Sequence, residues 1–164
     1  LAPLKGDALV DGSAGLGLRS LLMAQKAGWA YGIEPSPTLL RARENAALAQ
    51  LPAEFTGENL LEALQNPRLQ DLRPLLFLDM GRKELPAELW AVLKTLSPRR
   101  IMLQSNNPKA FARELVRFKA NHEIRFLRAY NTAPFTPFST LLALLVSRDP
   151  RGPSRRAPRR KTVH

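Results

Sequence analysis

Asp11, Gly12, Gly15, Gly17 and Glu34 are the residues of this chain whose types and spacing could do chemistry. An apolar run, Ala8-Leu9-Val10, meets a glycine turn over Asp11-Gly12-Ser13-Ala14-Gly15-Leu16-Gly17 and then a helical pattern. Such a junction aims bare backbone N–H groups at an anionic or polar ligand. A second apolar run ends in Ala30-Tyr31-Gly32-Ile33-Glu34, about 20 residues past the loop, which puts the Glu34 carboxylate at the tip of the neighbouring strand. There it can accept both hydroxyls of a ribose. The glycines read G-x-x-G-x-G and lack the further glycine, three residues after Gly17, of a dinucleotide fingerprint. S-adenosylmethionine fits this loop better, and the competing reading is a strand-to-helix turn with no ligand.

Those residues need strands to carry them. Apolar runs alternate with helical periodicity, which predicts an α/β fold: a three-layer, Rossmann-like, seven-stranded sheet. The strand candidates are 8–11, 29–34, 53–56, 74–79, 100–105, 123–130 and 140–147, and the helix candidates are 17–27, 37–49, 58–65, 86–96 and 108–119. Pro37 after Ser36 and Pro108 after Asn107 suit first helical turns, where the missing N–H costs nothing. The last two strands, joined by a loop with Pro134 and Pro137, predict an antiparallel hairpin closing a mostly parallel sheet. Ligands bind beyond the carboxyl ends of such sheets, where Gly15, Glu34, Glu58, Asp79 and Ser105 should converge.

The chain of 164 residues suits one domain, read here as 1–147, followed by a basic segment over 148–164. That segment carries +6 of the net charge of +11, through Arg148, Arg151, Arg155, Arg156, Arg159, Arg160 and Lys161 against Asp149. With Pro150, Gly152, Pro153 and Pro158 and few apolar side chains, it is expected to be disordered alone and to bind phosphate, above all RNA. A solubilising tail, or one that docks on an acidic protein, is the alternative. No cysteine is present, which removes disulfides, thiolate metal sites and cysteine nucleophiles, and His122 and His164 alone make a zinc site an unsuitable reading. No apolar stretch reaches membrane-spanning length. A chain that opens on Leu1 points to a processed product or a fragment, with a mitochondrial setting as the first expectation and a cytoplasmic one as the second.

Five ordered blocks across residues 7–147 resemble the RNA uracil-C5 methyltransferases. Asp11-Gly12-Ser13-Ala14-Gly15-Leu16-Gly17 is similar to that family's D-L-Y-C-G-x-G, and Tyr31-Gly32-Ile33-Glu34-Pro35-Ser36-Pro37 with Ala42-Arg43-Glu44-Asn45-Ala46 to its Y-G-V-E-x-S-P and A-R-x-N-A. Phe77-Leu78-Asp79-Met80-Gly81-Arg82-Lys83 stands where the family has L-D-P-P-R-K, Gln104-Ser105-Asn106-Asn107-Pro108 where it has V-S-C-N-P, and Pro134-Phe135-Thr136-Pro137-Phe138-Ser139-Thr140 where it has P-H-T-x-H-V-E.

The resemblance implies a methyltransferase fold and a cofactor site of Asp11, Gly15, Gly17, Glu34, Glu58 and Asp79, with Glu34 on the ribose and Glu58 on the adenine amino group. For Asp79 with Arg82, an internal ion pair or loop brace is the preferred reading. Ser13 and Ala14 replace a tyrosine and a cysteine, and Met80-Gly81 replace two prolines. The family attacks uracil C6 with a cysteine thiolate and removes the C5 proton with a glutamate. Asn106 and Thr140 stand at those two positions, and neither can do that work.

The leading expectation is therefore a catalytically degenerate, RNA-associated component of a ribonucleoprotein, most plausibly an organellar ribosome, in contact with RNA and neighbouring proteins through Arg151, Arg155, Arg156, Arg159, Arg160 and Lys161. A second expectation is an active methyltransferase of different chemistry, in which Asn106-Asn107-Pro108 would orient an exocyclic amine. A third is a protein adaptor anchored by Trp29 and Trp90, although such aromatics belong more often to cores.

Overall fold

The structure is a computed structural model that describes residues 1, 3–70, 72–132, 134–136 and 139–149. Seven strands form one sheet: β1 (Asp7–Asp11), β2 (Gly28–Ile33), β3 (Ala53–Thr56), β4 (Leu75–Asp79), β5 (Arg100–Ser105), β6 (His122–Tyr130) and β7 (Thr140–Ser147). Their spatial order is β3-β2-β1-β4-β5-β7-β6. The first five pair in parallel, and β7 pairs antiparallel with both β5 and β6. The expected α/β sheet with an antiparallel terminal hairpin is what forms.

Five helices connect the strands: α1 (Leu18–Ala27), α2 (Leu39–Ala49), α3 (Leu60–Leu64), α4 (Ala87–Leu96) and α5 (Pro108–Phe118). Period-2 alternation divides the strand side chains between two layers. Val10, Ile33, Leu76, Leu78, Ile101, Leu103, Ala143 and Leu145 form one core with Leu64 of α3, Leu89 and Leu93 of α4, and Phe111 and Phe118 of α5. Leu9, Ala30 and Leu75 pack on the other side against Ala24 of α1. Each such buried aliphatic side chain contributes about 1.5–3 kcal/mol of transfer free energy, so two-sided burial holds the central strands flat against both helical layers.

Several boundaries differ from the sequence-based expectation by a residue or more, and those of α1, α2 and α3 do so for local reasons. Pro37 lies in a turn before α2, because the Ser36 hydroxyl bonds both the Thr38 N–H and the Thr38 hydroxyl and the helix begins only at Leu39. α3 shrinks from 58–65 to Leu60–Leu64, since the Asn59 side chain caps it by accepting from the Glu62 N–H, and a 3-10 turn follows at Pro67–Leu69. Gly17 ends the loop rather than starting α1. Pro108 does open α5, behind an Asn107 side chain that accepts from the Lys109 and Ala110 N–H groups.

Trp29 is 3% exposed and stacks on Tyr31, so it belongs to the core. Trp90 is half-buried and packs on Phe118. Neither is a free surface anchor. Among the described residues no helix is long and apolar enough to cross a membrane, and no cluster of three or more His, Asp or Glu side chains could hold a metal.

Candidate functional site

The glycine loop is built around a buried acid. Asp11, at the end of β1, is fully buried and accepts two hydrogen bonds from Arg19, from Nε at 3.1 Å and Nη2 at 2.6 Å, a third from the Ser20 hydroxyl at 2.8 Å and a fourth from the Ser13 N–H at 3.2 Å. Arg19 also reaches the Ser13 carbonyl at 2.7 Å and lies 3.5 Å over the Phe77 ring. A cation in the first turn of a helix opposes the helix dipole. Here the buried Asp11 charge accounts for it, and that misplaced cation is the signal by which the sequence could have revealed the pair. Asp11 thus spends its acceptor capacity inside the protein, holding both ends of the loop.

The loop then turns outward. Gly15 has φ +56° and Gly17 φ +81°, backbone that side chains rarely adopt. A Cβ at Gly15 would meet open space, whereas one at Gly17 would lie 2.7 Å from the Phe55 ring, and one at Gly32 only 2.4 Å from it. Phe55 of β3, a residue that sequence reasoning passed over, therefore fills the gap between the loop and β2. The Glu34 carboxylate closes the loop from the tip of β2, accepting from the Gly15 N–H at 2.7 Å and the Ser36 N–H at 3.1 Å. Burial pushes the Glu34 pKa up, but hydrogen bonds from Ser36, Gly15 and Thr38 outweigh it, and the group sits below its ordinary value. It is a carboxylate at neutral pH.

Glu58 follows β3 at the same end of the sheet and accepts from the Tyr31 hydroxyl at 3.4 Å. Asp79, at the end of β4, braces the next turn through Gly81 and Gln104: it accepts from the Gly81 N–H at 2.8 Å and from Gln104 Nε2 at 2.7 Å. The Gly81 carbonyl in turn accepts from the Asn106 N–H and from the Ser105 hydroxyl. Ser105 is fully buried and serves this turn rather than a ligand. Gly15, Glu34 and Glu58 follow the carboxyl ends of β1, β2 and β3, and Asp79 ends β4; of these, Gly15 and Glu34 are joined by a hydrogen bond.

The two positions singled out for chemistry meet each other. Asn106 Nδ2 donates to Thr140 Oγ1 at 3.0 Å and lies 3.4 Å from the Ser139 carbonyl, and Thr140 Oγ1 is 2.7 Å from Thr132 Oγ1. The antiparallel register, which sets Ser105 opposite Leu141, brings them together across 34 residues of sequence. Both groups are neutral. The Asn107 Oδ1 caps α5, and its Nδ2 donates to the Arg82 carbonyl at 3.0 Å. Arg151, Arg155, Arg156, Arg159, Arg160 and Lys161 lie outside the described residues.

Comparison with known proteins gives relatives of one kind. No family model matches the chain. It is 32% identical over 119 residues to an uncharacterized RNA methyltransferase of Lactococcus lactis, covering 71% of this chain and 26% of that protein. It is 36% identical over 119 residues to a 23S rRNA (uracil(1939)-C(5))-methyltransferase of an Azoarcus species, covering 70% and 27%. The chain thus spans about a quarter of the length of these curated relatives. Among solved structures, the Pyrococcus abyssi tRNA (uracil-54, C5)-methyltransferase bound to S-adenosyl-L-homocysteine superposes with a TM-score of 0.67 at 24% identity, over 87% of this chain and 35% of that one. An rRNA methylase of Streptococcus thermophilus does so at 0.69 and 11% identity, covering 88% and 89%. By sequence and by fold, then, this chain is a homologue of the RNA methyltransferases, uracil-C5 enzymes among them, and carries the S-adenosylmethionine-dependent methyltransferase fold.

Proposed function

We propose that this chain is an RNA-associated, non-methylating member of its kin, a structural or assembly component of a ribonucleoprotein whose RNA is ribosomal. The observation that carries the reading is the Asn106–Thr140 hydrogen bond. Methyl transfer to uracil C5 needs an anionic nucleophile at C6 and a base for the C5 proton. At the corresponding positions stand an amide and a hydroxyl that satisfy each other at 3.0 Å, and the sequence has no cysteine to stand in. The ribosomal assignment is supported by relatives named for 23S rRNA and rRNA, and the RNA association by the charge of +6 beyond residue 147.

The loop retains groups that suit S-adenosylmethionine. Glu34 would take the ribose hydroxyls, Glu58 the adenine amino group, and the open space at Gly15 the methionine portion. Bound there, the cofactor supplies an electrophilic methyl group, which in this reading finds no activated carbon.

A fluorescently labelled fragment of 23S rRNA, titrated with the full chain at low salt with and without S-adenosylmethionine, tests the proposal. The expected result is tight binding with affinities that agree within about twofold, since a scaffold has no reason to couple the two sites. Failure to bind the RNA contradicts the proposal. A tenfold or larger rise in RNA affinity with cofactor present would favour a working enzyme of different chemistry.

A further inference from the structure

The connection between β6 and β7 carries a side chain that the fold does not use. Phe135 is wholly exposed, and its backbone stands at φ +65°, a left-handed conformation that bulky side chains rarely adopt. The ring buries no apolar surface, and glycine would be the unstrained residue at that position. An outlier of this kind points to a task outside folding. We propose that Phe135 and Tyr130 form a stacking surface for unpaired bases of a single RNA strand, whose phosphates lie on Lys83 and Lys109. The inference rests on the RNA association proposed above and names where the folded domain takes part in it.

Three observations bring the parts of such a surface together. The first is the company of Phe135. Among the exposed large apolar side chains of the described residues, Phe135 and Tyr130 are the aromatic ones, and the rest are aliphatic. Tyr130 ends β6, is 40% exposed and lies opposite Thr140 in the strand register. Both aromatics therefore belong to one turn of the chain, whose base is held where the Thr132 and Thr140 hydroxyls meet at 2.7 Å. Rings open to water are platforms for unstacked bases, and they tolerate any base because each has a flat face.

The second observation is position. Asn106 Nδ2 donates to Thr140 at the foot of that turn, and the Asn106 N–H donates to the Gly81 carbonyl. Asn107 Nδ2 in turn donates to the Arg82 carbonyl. Asn106 and Asn107 thus tie the aromatic turn on one side to the turn after β4 on the other. The third is charge. The turn after β4 and the first turns of α5 line an open hollow of about 470 Å³ with Arg82, Lys83, Lys109 and Arg113. The one acid of that lining, Glu84, is paired with Arg113, and the exposed Lys83 and Lys109 leave the hollow cationic. A strand of RNA brings flat bases to the rings and phosphates to the lysines at once. An apolar protein surface would meet the rings alone.

The basic segment beyond residue 147 is expected to hold phosphate in any RNA, so the test titrates the full chain with a single-stranded oligouridylate and with a fully paired RNA duplex of the same length. Phe135→Ala should bind the single strand about tenfold more weakly and the duplex as the wild type does, because stacking needs unpaired bases. It should melt with the wild type, since the ring is outside the core. Phe135→Trp should keep the single-strand affinity, and Phe135→Leu should behave as Phe135→Ala, which separates stacking from apolar contact. Lys83→Gln/Lys109→Gln should lower the slope of log affinity against log salt for the single strand by about 1.4. The inference is overturned if Phe135→Ala binds the single strand as the wild type does, if it weakens single strand and duplex alike, or if the lysine pair leaves the slope unchanged. Full affinity in Phe135→Leu also overturns it and leaves the aromatic pair to an apolar protein surface. In each of these cases a salt-dependent affinity of the wild type for both RNAs keeps the RNA association standing. Binding to neither RNA removes that association, and this surface with it.

Discussion

Deleting Arg151 to His164 should lower the affinity for RNA about a thousandfold at 50 mM salt and flatten its salt dependence. The deletion removes Arg151, Arg155, Arg156, Arg159, Arg160 and Lys161, six of the 25 Lys and Arg side chains. Each cation on a phosphate releases condensed counterions, worth about 0.7–0.9 in the slope of log affinity against log salt. The full chain should therefore show a slope steeper by about 4–5 than the shortened one. The effect should not depend on RNA sequence, because contacts to phosphate carry no base information. Fluorescence anisotropy across a salt series reads both quantities, and an unchanged slope contradicts the role given to this segment. Contacts through the folded domain alone would leave the slope as it was.

The second large effect is on folding. Asp11→Ala should destabilise the domain by about 3 kcal/mol, because it strands a guanidinium and a buried hydroxyl that lose their common acceptor. The low end of the range for broken ion pairs applies, since Arg19 keeps 35% of its side chain in water, against 0% for Asp11. For a domain of this size the melting temperature should fall by about 6–12 °C. Asp11→Asn preserves shape and one acceptor, and its loss should be smaller. Differential scanning calorimetry of the three proteins checks the order. If Asp11→Ala melts with the wild type, the acid is not the structural centre of the loop.

Much of the fold was legible because the apolar runs are long and two-sided. Leu75-Leu76-Phe77-Leu78 is an apolar run of strand length, and β3, β5 and β7 fall on the expected residues. The start of α2 was not, because the rule that places proline at the first helical position competes with Ser36 and Thr38, whose hydroxyls make a turn of their own. The site divides in the same way. Glycine spacing and an acid at the next strand end locate Gly15 and Glu34, which the structure joins at 2.7 Å. The internal bonds of Asp11 were not legible, as spacing alone cannot tell a carboxylate facing a ligand from one facing Arg19 and Ser20 across the first turn of α1. Nothing local announces the Asn106–Thr140 pair either. It arises from strand register, a property of the whole sheet.

In the proposed function, an amide and a hydroxyl stand where uracil chemistry needs a thiolate and a carboxylate. Replacing them together, as Asn106→Cys/Thr140→Glu, should not by itself create activity, because Ser13, Ala14, Met80 and Gly81 also depart from the pattern of the active family. The direct measurement is nucleoside mass spectrometry of 23S rRNA incubated with the purified wild-type chain and S-adenosylmethionine. The expected result is RNA recovered with no 5-methyluridine above the level of an enzyme-free control, while accumulation of 5-methyluridine in proportion to the chain added would overturn the proposed function.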